Sequence, residues 1–387
     1  MTNAAGNDLP GRLRHRFPVF DRLTYLNSCS QGALADTVRS AYDDYLRSLE
    51  EHGSHWDHWV GRLERVRTLL AALLNVTPSE VAVTASASAG VSALASAFDF
   101  ERGRSTVVTT DAEFPTIGQI WHAQRRRGAR VVHVPTAADH TLPLAGFERA
   151  IDDDTAIVSV THISYTTGAR TDLGPLIDLA HSRGAYVLVD AYQSVGSVPI
   201  DAAALDADFV VGGTLKYLLG TPGVGFLVAR SGRTDDLVPT STGWFAASDI
   251  FAMRVHGYEP ATEARRFEAG TPAVPSLYAA EAGLELMLDC GVAETAGHVN
   301  GLVAQLRAGI GELEGTVVTP DGDGRHGALV AVAATDEQAY VDALHREGVV
   351  VSSRAGNVRV SPHCYNTSAD IDAALAAFAK HRHLLRR

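Results

Sequence analysis

Cysteine is scarce in this chain. Its 387 residues include only three cysteines, Cys29, Cys290 and Cys364. None forms a CxxC pair, and the odd number argues against a disulfide framework. A few unpaired cysteines are typical of a reducing compartment, so we expect a cytoplasmic protein.

Long apolar runs and an excess of positive charge are also missing. No apolar run approaches the ~20 residues that a membrane span needs, and the N-terminus lacks the charged-then-apolar pattern of a signal peptide. The formal net charge is −12, whereas a nucleic-acid-binding protein usually presents a basic face. The short cluster Arg125–Arg127 is typical of the solvated end of a helix. We therefore expect neither a membrane nor a nucleic acid among its partners.

The chain does contain a regular alternation of short Val/Ile-rich runs with helical patterns. Apolar residues make up 46% and charged residues 20% of it, which is enough for a large core. Such runs between helices predict an α/β fold with a mostly parallel sheet covered on both faces. The predicted strands of this region are Val107–Thr110, Val131–Val134, Ala156–Val160, Tyr186–Val189, Phe209–Val211 and Phe226–Ala229. Ligands in such folds bind at the carboxyl ends of the strands.

The pattern changes near Thr271, where longer helical patterns begin and strands become fewer. This change predicts a large domain over residues 16–270 and a smaller α+β domain over residues 271–387. We expect the N-terminal segment, residues 1–35, to pack on the smaller domain.

Two charged residues follow predicted strands. Asp190 comes directly after Tyr186–Val189, and Lys216 comes after Phe209–Val211 and a glycine pair. Each residue alone is weak evidence for a cofactor site, because an isolated Asp after a strand often caps a turn. Together they match what pyridoxal 5′-phosphate (PLP) requires, namely a lysine that forms an imine and moves protons, and a buried carboxylate facing the ring nitrogen. We therefore predict PLP as the cofactor, with Lys216 and Asp190 as the catalytic residues.

A phosphate group needs backbone amides and hydroxyls at the start of a helix. The small residues Ser86, Ser88 and Ala89 open a predicted helix and are candidates for that contact. A serine-rich turn is also a common helix start, so this signal is weak by itself. Thr214, two residues before Lys216, is predicted to add another hydroxyl.

Three more residues fit an amino-acid substrate bound to this cofactor. Phe114 follows a strand and is a candidate for stacking on the ring, although a core phenylalanine is an equally good interpretation. Gln193 lies on the same turn as Asp190 and is placed to donate to the ring oxygen. Arg359 can clamp a substrate carboxylate, although it also reads as a surface arginine on an edge strand.

The central motifs resemble those of one known family. They are SYTTG at 164–168, VDAYQSVG at 189–196 and KYLLGTPG at 216–223. With the flanking segments from Tyr25 to Thr367, they resemble the class V aminotransferases, a family of fold-type I PLP enzymes. That family includes cysteine desulfurases, kynureninases, isopenicillin N epimerase-like proteins and C–S lyases. The resemblance implies a large domain with a mostly parallel seven-stranded sheet and a smaller α+β C-terminal domain.

The resemblance also implies a role for individual residues. Lys216 carries the cofactor, Asp190 faces its ring nitrogen and Gln193 its ring oxygen. Phe114 stacks on the ring and Ser88 touches the phosphate.

Other residues match family positions that lie at the subunit boundary or at the substrate. Thr271 and Trp244 resemble residues that reach the phosphate of the neighbouring subunit, which implies a homodimer with shared active sites. Arg359 matches the arginine that binds the substrate carboxylate, and Asn27 is a second candidate for substrate contact.

Departures from the family pattern bear on the reaction. Desulfurases present a nucleophilic cysteine on a loop before the carboxylate arginine, whereas residues 351–357 contain none. Leu215 replaces a histidine that often precedes the lysine in desulfurases. Gln193 stands where kynureninases usually have histidine. We therefore expect neither of these two activities.

The first functional hypothesis is a C–S lyase that eliminates a thiol from cysteine or a cysteine S-conjugate. The alternative is an aminotransferase or an amino-acid epimerase of the same family, because all three reactions begin by removing the α-proton. The complete set of Lys216, Asp190 and Arg359 argues against a non-catalytic regulator. The spacing of the histidines matches no metal motif, so no metal is expected.

Overall fold

The computed structural model describes residues 8–387. Its α-helices are α1 (Leu9–Leu13), α2 (Asp36–His52), α3 (Trp56–Leu74), α4 (Ala87–Ser96), α5 (Pro115–Ala123), α6 (Leu144–Ala150), α7 (Leu173–Ser182), α8 (Ala202–Leu205), α9 (Val274–Cys290), α10 (Val292–Glu312), α11 (Glu337–Arg346) and α12 (Ser368–Lys380). Its β-strands are β1 (Thr24–Tyr25), β2 (Val81–Thr84), β3 (Thr106–Thr110), β4 (Arg130–Val134), β5 (Thr155–Thr161), β6 (Tyr186–Asp190), β7 (Phe209–Gly213), β8 (Gly225–Ala229), β9 (Val330–Ala333), β10 (Val349–Val350), β11 (Ser352–Arg354) and β12 (Asn357–Val360).

Seven strands form the large sheet, in the order β2-β8-β7-β6-β5-β3-β4. Strand β8 is antiparallel to its neighbours β2 and β7, and the remaining pairs are parallel. The predicted fold class, a mostly parallel seven-stranded sheet flanked by helices, is therefore confirmed.

Both faces of this sheet are buried because its strands are apolar on both sides. Along β6, Val187 and Val189 belong to the core on one face, and Leu188 belongs to the core on the other. Helix α7 contributes to the first core and helix α4 to the second. With both faces covered, the ends of the strands are left as the place where a ligand can approach.

The C-terminal region contains a separate antiparallel sheet of order β11-β12-β9. Its apolar residues share one core with side chains of α10, α11 and α12. Helix α9, which begins just after residue 271, packs instead on α2 and α3, and its Leu277, Leu284 and Met287 belong to the core of the large sheet. The contacts of the large-sheet core thus extend to the end of α9, and the domain limits stay a prediction.

The described part of the N-terminal segment contacts the C-terminal region. Strand β1 pairs in parallel with β10, with Thr24 opposite Val349. Arg14 forms an ion pair with Asp370 of α12 at 2.6 Å. Residues 1–7 of the predicted segment lie outside the described residues.

Helix length and polarity bear on the membrane prediction. Helix α10 has 21 residues, but it carries charged groups such as Glu294 and Arg307. Among residues 8–387, none of the helices combines the length and the apolar character that crossing a bilayer requires.

Candidate active site

A cavity of about 260 Å³ lies at the carboxyl ends of strands β5, β6 and β7. Strands β6 and β7 are parallel neighbours, with Asp190 opposite Val211, so residues that follow them meet at one edge of the sheet. Six of the predicted site residues line this cavity: Ser86, Ser88, Phe114, Asp190, Gln193 and Lys216. The remaining lining residues are Ala87, Thr116, Ile117, Thr161, Ile163, Tyr165, Tyr192 and Leu215.

Besides a cleft of about 400 Å³ that Trp244 lines, two larger and more open clefts lie elsewhere, with volumes of about 650 and about 780 Å³. Both include Arg170, whose Nε donates to His162 Nε2 at 3.1 Å. Burial lowers the pKa of His162 to about 3, so its ring is neutral. Neither cleft is lined by a predicted site residue, and we therefore assign the chemistry to the smaller cavity.

The amine of Lys216 lies between two aromatic rings. Its Nζ is 4.5 Å from the ring centroid of Tyr192 and 5.7 Å from that of Phe114. Burial lowers the pKa of Lys216 to about 8, against smaller opposing effects of Cys29 and Asp190. An amine with this pKa is partly neutral near physiological pH, and the neutral form is the nucleophile. Lys216 is thus suited to attack an aldehyde carbon.

The carboxyl group of Asp190 is hidden at the end of β6, with the residue 6% exposed. Burial raises its pKa, while the N–H of Tyr192 and the charge of Lys216 act in the opposite direction. The Tyr192 N–H donates to Asp190 Oδ1 at 2.9 Å. A carboxylate shielded from water interacts strongly with a cation beside it, which suits a protonated ring nitrogen.

The start of helix α4 forms the opposite wall of the cavity. Ser86 caps this helix, because its Oγ accepts the N–H of Ala89 at 3.1 Å. Ser88 Oγ donates to Thr116 Oγ1 at 3.3 Å. The first amides of a helix have no acceptor within the helix and carry partial positive charge, so this wall favours an anion.

Gln193 presents an unsatisfied polar atom to the cavity. The residue is 5% exposed, and its Nε2 donates to the carbonyl oxygen of Cys29 at 3.1 Å. Its Oε1 is buried without a hydrogen-bond partner among residues 8–387. Buried polar atoms rarely stay unpaired, so this one indicates a polar ligand in the cavity. The second hydrogen of Nε2 is the one that remains for donation to a ring oxygen.

Arg359 is 4% exposed and does not line the cavity. Its Nη1 donates to the carbonyl oxygen of Tyr165 at 2.8 Å. Its Nη2 donates to Ser352 Oγ at 2.9 Å and to Ser30 Oγ at 3.3 Å. Within the described chain only its Nε is left without a partner. A carboxylate that binds this arginine in a bidentate manner therefore has to displace a serine hydroxyl.

Thr214 and Asn27 are predicted site residues that the structure places outside the cavity. The hydroxyl of Thr214 is buried and donates to the carbonyl oxygens of Thr221 at 3.3 Å and Val224 at 3.2 Å. It closes the turn around the lysine and does not line the cavity, and a contact of Thr214 with the phosphate stays a prediction. Asn27 does not line the cavity, and its Oδ1 lies 3.8 Å from Cys29 Sγ.

The structure also separates Ala89, Thr271 and Trp244 from Lys216 within one chain. Ala89 gives its amide to the Ser86 cap, and its side chain shares a different cleft with Thr271. The ring of Trp244 lies 5.5 Å from that of Trp56, along a third cleft. A role of Thr271 and Trp244 across a subunit boundary stays a prediction.

Comparison with known proteins identifies the family. The family model "Aminotransferase class-V" matches residues 25–374, which is most of the chain. The chain belongs to the class V aminotransferase family. It is therefore an enzyme, and PLP is its cofactor, as the strand-end lysine and carboxylate predicted.

Individual known proteins match this chain over most of its length. It is 35% identical to the uncharacterized aminotransferase YcbU of Bacillus subtilis (strain 168), over 96% of this chain and 98% of the relative. It is 31% identical to a kynureninase of Pseudomonas fluorescens, over 87% of this chain and 83% of the relative. The apo structure of a cysteine desulfurase from Thermococcus onnurineus NA1 has a TM-score of 0.87 at 22% identity, covering 96% of this chain and 98% of that one. The last likeness shows the fold alone.

The cavity of this class V enzyme fits PLP in three places. Lys216 supplies a partly neutral amine, Asp190 a buried carboxylate, and the start of α4 the backbone amides of Ala87 and Ser88. Gln193, whose Oε1 has no hydrogen-bond partner among the described residues, also lines the cavity. The three groups match the aldehyde, the ring nitrogen and the phosphate of one flat molecule.

Sequence reasoning overlooked the two tyrosines of the cavity. Tyr192 lies inside the quoted VDAYQSVG motif and Tyr165 inside SYTTG, but neither was assigned a role. The ring of Tyr165 packs edge-on against Phe114, with centroids 5.0 Å apart. The sequence does contain a signal for Tyr192, because an aromatic residue two positions after the strand-end carboxylate Asp190 lies at the same edge of the sheet.

Glu113 is a buried carboxyl group that the sequence did not indicate. Its Oε1 accepts the N–H of Thr161 at 2.7 Å and the hydroxyl of Thr110 at 3.2 Å, while Oε2 has no partner among the described residues. Burial, and then the neighbouring charge of Asp190, raise the pKa of Glu113 well above its usual range. A raised pKa favours the protonated form of Glu113, and the negative charge of this pair of buried carboxyl groups would then rest on Asp190.

Proposed function

We propose that this class V enzyme is a C–S lyase that acts on cysteine or a cysteine S-conjugate. The α-proton and the thiolate leave the substrate, and one water completes the conversion to a thiol, pyruvate and ammonia. The observation that carries the proposal is the cysteine-free hairpin beside Arg359, because it offers no thiol on which the departing sulfur can be retained.

The hairpin consists of β11 and β12, with Ser352 opposite Arg359. Its turn residues Ala355 and Gly356 have φ values of 51° and 81°, the left-handed pair of a tight two-residue hairpin. A closed turn of this kind cannot extend a nucleophile towards the cavity. These features support release of the sulfur as a free thiol.

Cys29 is the one nearby thiol that the proposal has to exclude as an acceptor. Its Sγ lies 3.8 Å from Ser352 Oγ, but the residue is 1% exposed and does not line the cavity. Cys29→Ser should therefore retain lyase activity within about threefold. Loss of activity in that variant, with a persulfide on Cys29 of the wild-type enzyme, would contradict the proposal.

The residues of the chain divide the work of the reaction. PLP, when bound, serves as an electron sink for the bonds of the α-carbon. Lys216 accepts the proton of that carbon and can pass it to the departing thiolate, because its amine has a pKa of about 8 and lies near the rings of Tyr192 and Phe114. Asp190 holds a proton on the ring nitrogen, and Arg359 orients the substrate carboxylate.

Transamination or epimerization is the second candidate. It is favoured by the relative of 35% identity, whose name is that of an aminotransferase. It uses the same Lys216 and Arg359, and differs only in the fate of the α-carbon after it has lost its proton.

Incubation with a panel of amino acids and S-substituted cysteines distinguishes these reactions. The proposal expects pyruvate and a free thiol in equal amounts. A keto acid with pyridoxamine phosphate would establish transamination instead. Exchange of the α-proton with solvent deuterium, with neither product, would establish epimerization.

We also propose that the active enzyme is a homodimer in which Trp244 and Thr271 approach the site of the partner. Support comes from apolar side chains near Trp244 that are exposed in the single chain: Phe251 (53%), Met253 (64%) and Val255 (87%). Exposed groups of this size commonly mark a contact surface. Sedimentation of a monomer at micromolar concentration would refute this part. The cytoplasmic location likewise stays a prediction.

A further inference from the structure

The hydroxyl of Thr214, which the sequence suggests as a phosphate ligand, binds two backbone carbonyl oxygens. The hydroxyl of Tyr192 belongs instead to a residue that lines the cavity beside the start of α4, the wall that we assign to the phosphate. Thr214 donates to the carbonyl oxygens of Thr221 and Val224. Tyr192, in contrast, lines the cavity together with Ser86, Ala87 and Ser88. Its phenol is the remaining candidate for a donor on the β7 side of that wall.

The glycine pair on strands β7 and β8 fixes the position of this phenol. A Cβ added to Gly213 would lie 2.6 Å from Tyr192 Oη, so the phenol occupies the space that a side chain at Gly213 would fill. A Cβ added to Gly225 would lie 2.6 Å from the amide nitrogen of Ala87, the first residue of α4. Positions 213 and 225 therefore require glycine, because the Tyr192 phenol approaches the first and the Ala87 amide approaches the second.

These two close approaches are adjacent in space. Gly213 and Gly225 are direct partners in the β7–β8 pair. Side chains of directly opposed residues point to the same face, with Cβ atoms about 5 Å apart. The Tyr192 hydroxyl and the first amide of α4 therefore lie side by side on one face of the sheet.

We propose that Tyr192 is a cofactor-positioning residue whose hydroxyl donates a hydrogen bond to the phosphate of PLP beside the first amides of α4. Gly213 is the small residue that admits the phenol to this place. The inference rests on the cofactor orientation described above, with the phosphate at α4, and does not depend on whether the reaction is elimination.

The electrostatics suit a donor. Burial, and then the charge of Asp190, raise the pKa of Tyr192 to about 12. The phenol therefore keeps its proton at neutral pH and can donate to a dianionic phosphate. The backbone N–H of the same residue donates to Asp190 Oδ1. One residue thus connects the group at the ring nitrogen with the group at the phosphate.

The first test removes only the hydroxyl. In Tyr192→Phe the apoenzyme should bind PLP about tenfold or more weakly, since hydrogen bonds to charged groups are among the stronger ones. Pyridoxal, which has the same ring without phosphate, should bind the variant and the wild type equally. The matched control is Tyr186→Phe, at the opposite end of β6, which should change neither dissociation constant. The readout is cofactor absorbance or fluorescence quenching, and no substrate is needed.

Two results of this test would overturn the proposal. One is a PLP dissociation constant within twofold of wild type. The other is an equal loss of affinity for PLP and pyridoxal, which would mean that the variant disturbs the ring contact instead of the phosphate.

A second test moves the hydroxyl from Tyr192, which follows β6, to position 213 on β7. Gly213→Ser in the otherwise wild-type chain should weaken PLP binding, because its side chain collides with Tyr192. In a Tyr192→Ala background that space is open, and the same Gly213→Ser change should recover at least fivefold of the lost PLP affinity. If Gly213→Ser is equally harmful in both backgrounds, with thermal unfolding showing that all variants fold, the proposal is wrong.

Discussion

The two ends of the proposed active site, one for the cofactor and one for the substrate carboxylate, are prepared to different degrees. At the cofactor end, Lys216 and Asp190 face a cavity and their reactive atoms are free to meet a ligand. At the carboxylate end, Arg359 is buried and most of its donors already bind Tyr165, Ser352 and Ser30. The first end is built from neighbouring strands of one sheet, whereas the second joins the small sheet to loops of the large one. We infer that the cofactor site is preformed and that the substrate site changes its hydrogen bonds when a carboxylate arrives.

Lys216→Ala should have the largest effect, because it removes the only amine among the described residues that line the cavity. Borohydride reduction should then leave no cofactor covalently attached, and the visible absorbance of the bound form should disappear. Activity should fall below detection. Cofactor trapped on another lysine, identified by mass spectrometry of peptides, would refute the assignment.

Asp190→Asn should lower turnover by about a hundredfold or more, since the ring nitrogen loses its anionic partner. Asp208→Asn is the matched control, because Asp208 is a buried carboxylate outside the cavity that binds the N–H of Val187. The comparison is made by single-turnover kinetics at saturating PLP. Near-normal turnover of Asp190→Asn would show that the cofactor end is not organised as we describe.

Arg359→Ala should raise KM for carboxylate substrates about 10- to 100-fold with little change in PLP affinity, because a charge-assisted pair contributes a few kcal/mol. Arg354→Ala, on the exposed side of the same hairpin, should leave KM unchanged. If PLP affinity fell instead of substrate affinity, Arg359 would belong to the cofactor site. The distinction between a preformed cofactor site and a rearranging substrate site would then be wrong.

The rate at which the apoenzyme takes up PLP should rise about tenfold between pH 7 and pH 9. The lowered pKa of Lys216, about 8, means that the neutral amine goes from a small to a large fraction over this interval. The groups around it are Asp190, Cys29 and Arg359. Stopped-flow absorbance gives the profile, and a midpoint near the ordinary lysine value of about 10 would contradict an amine prepared in advance.

Glu113→Gln should have the smallest effect, with PLP affinity and turnover within about threefold of wild type. The amide keeps the acceptor for the Thr161 N–H and matches the neutral charge that we assign to Glu113. Glu113→Ala, in contrast, leaves that N–H unpaired and should lower the free energy of unfolding by about 2 kcal/mol. Urea denaturation measures the difference. A large loss of activity in Glu113→Gln would mean that the carboxylate is ionised.

The sequence predicted the sheet, and it brought the two candidate catalytic residues to one cavity, because both follow from local patterns. A strand-end Asp190 and a strand-end Lys216 need only the strand order to come together. The direction of the Thr214 hydroxyl was not predictable in this way, since it depends on carbonyl oxygens seven and ten residues later. The position of the Tyr192 hydroxyl depends on Gly213 of β7. This contact between residues 21 positions apart cannot be recognised from a local sequence pattern. Thr271 and Trp244 need a second chain for the role that the family suggests.

The antiparallel strand β8 has a consequence for how the reactive lysine is kept in place. Because β8 returns beside β7, the segment that carries Lys216 is a closed loop, pinned by the Thr214 N–H to the Val224 oxygen and by the Gly220 N–H to the Thr214 oxygen. These hydrogen bonds hold the backbone under the amine without any contribution from the cofactor. A substitution that weakens these hydrogen bonds should therefore slow PLP binding or make it incomplete at temperatures well below that of global unfolding.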